Sequence, residues 1–367
     1  MVRRPQSHRR KVLLPDGAQN FHHAGCGLYL EPAGISTGTR VPVHWFSRFI
    51  AGTVPSNHTA CMAAFRSPDG SMAGSSGDSL RQSEQLGADG AAGVVLALGG
   101  GFSRGFAHLG VLEVLQQERI KITGIVGTSI GSLLGAAFAE GIPIGELCDL
   151  GRRVRIRDFI RFGRSQPQAQ QNDRIGQFVR EWFHSNHIEQ LAIPTAIVTT
   201  DIDTCAPYVL TRGPLDVAIR ASCAFPGLFE PVEFEGRTLA DGCIAAPVPT
   251  VTAARMNAGC VLGVAVNSGV GTASFAAGTV PTIKRTLEIL RGKMLSPAWV
   301  RKADLMLEPE VQQIGWSDFP RVDEARAAGA EAMRRALPYL RELLARRSQR
   351  KSAPGSILGQ VENHLVS

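Results

Sequence analysis

A serine inside Gly-x-Ser-x-Gly can be lifted out of a strained turn and used as a nucleophile. The chain carries this pattern twice, as GTSIG at 127–131 and as GISTG at 34–38. The letters do not separate the two copies; their flanks do. A nucleophile elbow needs a strand before it to aim the turn and a helix after it. It also needs glycines where a Cβ would clash at the backbone crossing. GISTG follows LEPA, with Pro32 close upstream, and leads into TRVPVHW, which cannot start a helix. GTSIG follows the β-branched ITGIV and leads into SLLGAAFAEG, rich in small residues that let a helix lie close to a sheet. Ser129 is therefore the candidate nucleophile, with Gly127 and Gly131 as the glycines the turn requires.

A developing oxyanion needs hydrogen-bond donors aimed at one point. LGGGFSRGFAHLG places Gly99, Gly100 and Gly101 between an apolar strand and a helix opening at Arg104-Gly105. Consecutive glycine amides beside a helix N-terminus favour negative charge. The amide of Ile130, next to the nucleophile, is a further candidate donor. Arg104 either braces this loop or adds positive charge to it. His108, four residues along, shares its helix face and reads as a packing residue. The rival reading is a dinucleotide fingerprint. It fails because Arg104 stands at the third glycine position and no acid follows at the end of the second strand.

The serine also needs a proton acceptor. A triad would draw on His184, His187 or His364, but none of these ends a strand. Asp241 does, in TLADGC, and Gly242 after it frees the backbone to turn. A free aspartate, with a pKa of about 3.9, is a weak base, and desolvation strengthens it. Asp-Gly is equally a common turn dipeptide, so these residues alone leave both readings open.

The elements that must position these groups follow from the pattern. GVVLAL at 93–98 reads as a buried strand, 103–118 as a helix, 122–127 as a strand, 130–140 as a helix and 195–201 as a strand. PVEFEGRTLAD reads as a hairpin turning at Glu235-Gly236. Residues 260–266 and 303–309 read as further strands. Residues 321–346 read as a helix with acids at its start and arginines at its end, and Pro338 is expected to kink it. Strands alternating with helices predict an α/β fold with a mostly parallel sheet covered on both faces. Residues 122–139 are uncharged and long enough to suggest a membrane span, but a strand and a helix joined by a tight turn explain them better.

Residues 1–91 hold scattered Gly, Pro and Ser and read as a loosely ordered or unassigned extension, with 67–79 as a linker. Residues 347–367 read as a polar tail. The chain has 367 residues and a net charge of +7, which suits an anionic partner. The segment GRRVRIRDFIRFGR at 151–164 interleaves arginines with apolar residues. It fits a solvated helix with one side in the core, or a face docked on anionic lipid. Dispersed basic residues and few Tyr and Trp argue against nucleic acid. The seven cysteines include no C-x-x-C pair, so neither a disulfide framework nor a zinc site is expected. The basic N-terminus lacks the apolar run of a secretory signal. A cytoplasmic protein, peripheral to membrane at most, is the expectation.

Four segments together resemble the patatin-like phospholipase family, and its bacterial and neuropathy-target-esterase-like branch in particular. They are GGGFSRGFAHLGVL, IVGTSIGSLLGAAFAEG, AIRASCAFPGLFEPV and LADGC. The resemblance covers roughly residues 92–346. It implies a three-layer α/β/α fold and a Ser129–Asp241 dyad without histidine. It further implies an oxyanion loop at Gly99, Gly100 and Gly101 followed by Arg104, and hydrolysis of phospholipid, lysophospholipid or other lipid acyl esters without metal or cofactor. Acyl transfer on the same dyad and a non-catalytic regulatory role are the alternative functions. One departure stands out: the family usually has Gly or Ala after Asp-Gly, and Cys243 stands there in this chain.

Overall fold

In the computed structural model the described residues are 12–13, 93–155, 168–256, 260–266 and 302–352. They build one sheet. Its strands are β1 (Val12–Leu13), β2 (Val94–Leu98), β3 (Ile122–Thr128), β4 (Thr195–Asp201), β5 (Ala206–Leu210), β6 (Val232–Phe234), β7 (Arg237–Asp241), β8 (Cys260–Val264) and β9 (Leu305–Leu307). They lie in the order β1-β9-β8-β2-β3-β4-β7-β6, with β5 also paired to β4. The run from β1 to β4 is parallel, and the pairings of β4 with β5, β4 with β7 and β6 with β7 are antiparallel.

β2 is apolar throughout because both its faces are covered. Val94, Leu96 and Leu98 enter one core cluster, and Val95 and Ala97 enter a second. This is the alternation a pleated strand imposes. The first cluster is shared with α1 (Ala107–Gln117), α2 (Ile130–Glu140), α3 (Ile144–Arg153), α4 (Gln168–Trp182), α5 (Leu215–Ser222) and α7 (Val322–Ser352). The second receives Ala253 and Met256, in and just after α6 (Thr250–Arg255). The fold is therefore a mostly parallel sheet with flanking helices.

The register of β4 brings the candidate nucleophile to the candidate acid. β5 occupies one edge of β4 from Ile197 to Asp201. On the opposite edge β3 pairs up to Thr128 against Val198, and β7 takes over with Asp241 against Thr199. Two strands running in opposite directions thus meet end to end along one edge of β4. The chain leaves β3 at Ser129, at the point where β7 delivers Asp241.

The helix expected over 103–118 begins as a 3-10 turn at Phe102–Phe106 and becomes α-helical only at Ala107. The turn is anchored from outside, by Ser103 N–H donating to Trp316 O and Ser103 Oγ to Gly315 O. α7 runs on to Ser352, into the stretch read as a polar tail, and remains helical through Pro338. Val12–Leu13 pairs with β9 within the stretch read as unassigned. The copy GISTG, the other residues of 1–91 and His364 lie outside the described residues. The hairpin turns at Glu235-Gly236 with φ of 51° and 71°, as a tight hairpin turn requires. Among the described residues no helix is long and apolar enough to cross a membrane.

Candidate active site

Ser129 sits between β3 and α2 with φ 54° and ψ −125°. A non-glycine residue in this region carries strain of order 1–3 kcal/mol and persists only when its surroundings hold it. They hold it at both ends. Its N–H donates to Ser222 Oγ at 2.8 Å, and Ser222 Oγ–H donates in turn to Val198 O at 2.7 Å. Its carbonyl accepts from Ser132 N at 2.8 Å and Ser132 Oγ at 2.6 Å. The two glycines of the pattern are needed for space. A Cβ on Gly127 would lie 2.4 Å from Ser132 Cα, and one on Gly131 would lie 2.3 Å from Leu98 O.

Ser129 Oγ donates to Asp241 Oδ2 at 2.8 Å. Ser129 is 8% exposed and Asp241 fully buried. The other carboxylate oxygen accepts Cys243 N–H at 2.8 Å, which fixes the plane of the carboxylate. The backbone of Asp241 is clamped as well: its N–H donates to Ala224 O at 3.0 Å, and its carbonyl accepts Thr200 Oγ1 at 2.9 Å. Gly242 lets the chain pass over β4, where a Cβ would fall 2.2 Å from Val198 O.

The glycine loop lies against this pair. Gly100 packs one face on both Cys243 and Ser129; a Cβ there would lie 2.0 Å from Cys243 Sγ and 3.1 Å from Ser129 Cβ. The amides of Gly99 and Gly100 donate to Val264 O at 3.0 Å and Pro247 O at 3.2 Å. These bonds fasten the loop to its neighbours. Ile130 opens α2, and the first amides of a helix have no partner within it. Arg104 is 7% exposed, and its guanidinium donates to Ile314 O at 2.8 Å and Gln312 O at 3.2 Å. It braces the loop against residues 312–314. His108 Nε2 donates to Gly99 O at 2.7 Å. Burial lowers its pKa to about 4, so the ring is neutral. Its role is to hold the loop from below.

A cavity of about 930 Å³, its mouth included, opens beside Ser129. Its walls come from Phe102 and Phe106, from α2 and α3, and from Phe178 and Trp182 on α4. Apart from Ser129 the lining side chains are apolar, with the Cys223 thiol among them. Burial first, then the Asp241 charge, push that thiol well above the ordinary range, so it stays protonated. An extended apolar chain reaching Ser129 fits this lining.

The structure thus brings Ser129, Asp241, Gly100 and Cys243 into contact. His184 stands apart: it is 97% exposed, and its nearest acid is Glu140 at the far end of α2. Ser222 and Cys223 were not singled out from the sequence, although both lie in the segment AIRASCAFPGLFEPV. The only local signal is a polar pair at an apolar helix end before Pro226. Of the basic segment 151–164, residues 156–164 lie outside the described residues. Arg152 pairs with Asp149 and Asp323, and Val154 lines the cavity.

The sheet presents the Ser129 turn to a buried aspartate, and comparisons with known proteins bear on this arrangement. The patatin-like phospholipase family model matches residues 96–254, the family that the resemblance named. An uncharacterized NTE family protein of Mycobacterium tuberculosis is 38% identical over 177 residues, 47% of this chain and 49% of that protein. Lysophospholipase NTE1 of Mycosarcoma maydis is 34% identical over 179 residues, 47% of this chain and 10% of that protein. The crystal structure of VipD from Legionella pneumophila aligns with a TM-score of 0.40 and 15% identity, over 71% of this chain and 68% of that one. The chain spans about half the length of the first of these relatives, or less.

Proposed function

We propose that this chain hydrolyses acyl esters of lipids, with Ser129 as nucleophile and Asp241 as its base. The observation that carries this reading is the 2.8 Å contact from Ser129 Oγ to Asp241 Oδ2 beside an apolar cavity. Asp241 accepts the serine proton as Oγ attacks the ester carbonyl. The oxyanion that forms is held by the amides of Gly101 and Ile130. Gly99 and Gly100 shape the loop rather than donate, because their N–H groups already bond to Val264 and Pro247. The proton on Asp241 passes to the leaving alkoxide, and an acyl-enzyme remains. Asp241 then takes a proton from water as its oxygen attacks the acyl carbon, and returns that proton to Ser129 Oγ as the Oγ–acyl bond breaks and the fatty acid leaves. A lysophospholipid, with one acyl chain for one apolar cavity, suits the site, and a fungal relative carries the name lysophospholipase. On this reading Arg153 and Arg155, beside the cavity residue Val154, face the anionic lipid surface.

A fluorophosphonate probe tests the nucleophile. It should label wild type at Ser129 and leave Ser129→Ala unlabelled. Asp241→Asn, which keeps the shape but not the base, should lower turnover by about 10²–10⁴-fold. Full esterase activity in folded Ser129→Ala would end the proposal. Product analysis in the presence of added alcohols separates hydrolysis from acyl transfer.

A further inference from the structure

The cavity follows one helix from end to end. Ser129, Ile130, Leu133, Leu134 and Ala137 line it, and this spacing is a single stripe along α2. Ile142, just beyond the C-cap Gly141, lines it too. The space is therefore a slot parallel to α2, with the candidate nucleophile at its N-terminal end. At 1.5 Å per residue the 11-residue helix is about 16 Å long, and Ala137 lies about 12 Å beyond the level of Ser129.

Aromatic side chains stand at the far end. Trp182 and Phe183 line the slot, and the two residues after them are tied to the last residue of α2. Glu140 Oε1 accepts His184 N–H at 3.0 Å and Ser185 N–H at 3.1 Å. The carboxylate of Glu140 is itself only 8% exposed, and Ala192 N–H donates to Ala139 O at 3.0 Å. The aromatic pair is thus pinned across the C-terminal end of α2. Phe178 stacks on Trp182 at 5.7 Å and steadies it.

We propose that this slot is a ruler for acyl-chain length, with Ala137 as the gate the chain must pass and Trp182–Phe183 as the stop. An extended alkyl chain advances about 1.25 Å per carbon, from a C–C bond of about 1.5 Å. The slot then takes about 12–14 carbons measured from Ser129. A shorter chain leaves apolar wall uncovered, and a longer one meets the aromatic floor. This inference rests on Ser129 being the acylated residue.

The test is a series of p-nitrophenyl esters of four to eighteen carbons in mixed detergent micelles. Wild type should show its highest kcat/KM near 12–14 carbons. Ala137→Phe should move the optimum to about eight carbons or fewer and invert the ratio of four-carbon to twelve-carbon turnover by at least tenfold. Trp182→Ala should move the optimum upward by two carbons or more. Should Ala137→Phe fail to fold, Ala137→Leu and Trp182→Ala decide the matter. Variants that fold, take the fluorophosphonate at Ser129 and keep the wild-type chain-length profile would overturn the ruler alone. A wild type that neither labels at Ser129 nor turns over any ester would overturn the nucleophile assignment instead.

Discussion

Ser222 holds Ser129 from behind, its Oγ accepting the nucleophile's backbone N–H at 2.8 Å while donating to Val198 O. The same stretch of chain holds the acid, because Ala224 O accepts the N–H of Asp241. The turn after α5 therefore sets the position of both partners at once. Ser222→Ala would leave a buried N–H unpaired, which costs about 1–3 kcal/mol. We expect kcat to fall about 10–100-fold with KM changed less than about threefold, the pattern of a lost positioning contact. Ser222→Thr keeps the oxygen and should restore most of the rate. Equal losses in both variants would show that the hydroxyl is not what matters.

Much of this site could be read before the fold was seen, and the reason is local. The β-branched run before GTSIG and the small residues after it specify a strand, a turn and a helix from neighbouring residues alone. Asp241 was legible as a strand-ending acid, but its meeting with Ser129 depends on β3 and β7 sharing one edge of β4. Ser222 was not legible, since it acts on a residue far away in sequence. Gly99 and Gly100 read from the sequence as oxyanion donors, but their N–H groups bond to Val264 O and Pro247 O, acceptors from distant segments that the local sequence does not reveal. The cavity escaped for the same reason. Its walls combine the apolar faces of three helices, and each face alone looks like ordinary core.

Gly131 is needed for space at the start of α2. Leu98 O would lie 2.3 Å from an added Cβ, and Gly99 O 2.8 Å. Both are backbone atoms at the root of the glycine loop, so neither can swing aside. Gly131→Ala should push the elbow away from the loop. The expected result is a loss of stability of about 1–3 kcal/mol, the usual range for forced packing, with esterase activity reduced at least 100-fold. Thermal denaturation and fluorophosphonate labelling measure the two effects. Near wild-type values in both would mean that the elbow tolerates more room than this geometry allows.

Cys243 stands at a place where side-chain size should decide activity. Its Sγ packs on the Gly100 face that looks toward Ser129, whereas its contact with Asp241 is made by the backbone N–H. Cys243→Ala should therefore keep kcat/KM within about threefold, with a stability change of about 1 kcal/mol or less, as for the loss of a small half-buried group. Cys243→Phe should crowd Ser129, push the Gly100 loop away from it and lower kcat/KM by more than 100-fold. A graded series of Ala, Ser, Val and Phe would read this out. A steep loss already at Ala and Ser would instead give the thiol a chemical part.

His108 links acid stability to the glycine loop. The ring is fully buried, donates to Gly99 O and titrates near 4, because burial opposes its charged form. An unfolded histidine titrates near 6.5. Between these values the unfolded chain binds the proton and the folded one does not. The contribution of His108 is therefore complete above pH 6.5, shrinks as the pH falls toward 4, and levels off below that. The full change is about 3 kcal/mol. His108→Gln offers an amide donor that does not titrate. Urea unfolding at pH 7.5 and at pH 4 should show wild type losing about 3 kcal/mol more than His108→Gln over that interval. Esterase activity after brief exposure to pH 4.5 should likewise survive better in the variant, provided the Gln amide reaches Gly99 O. Equal pH slopes for the two proteins would mean that the imidazole takes up its proton in the folded state, and that the loop does not depend on a neutral ring beneath it.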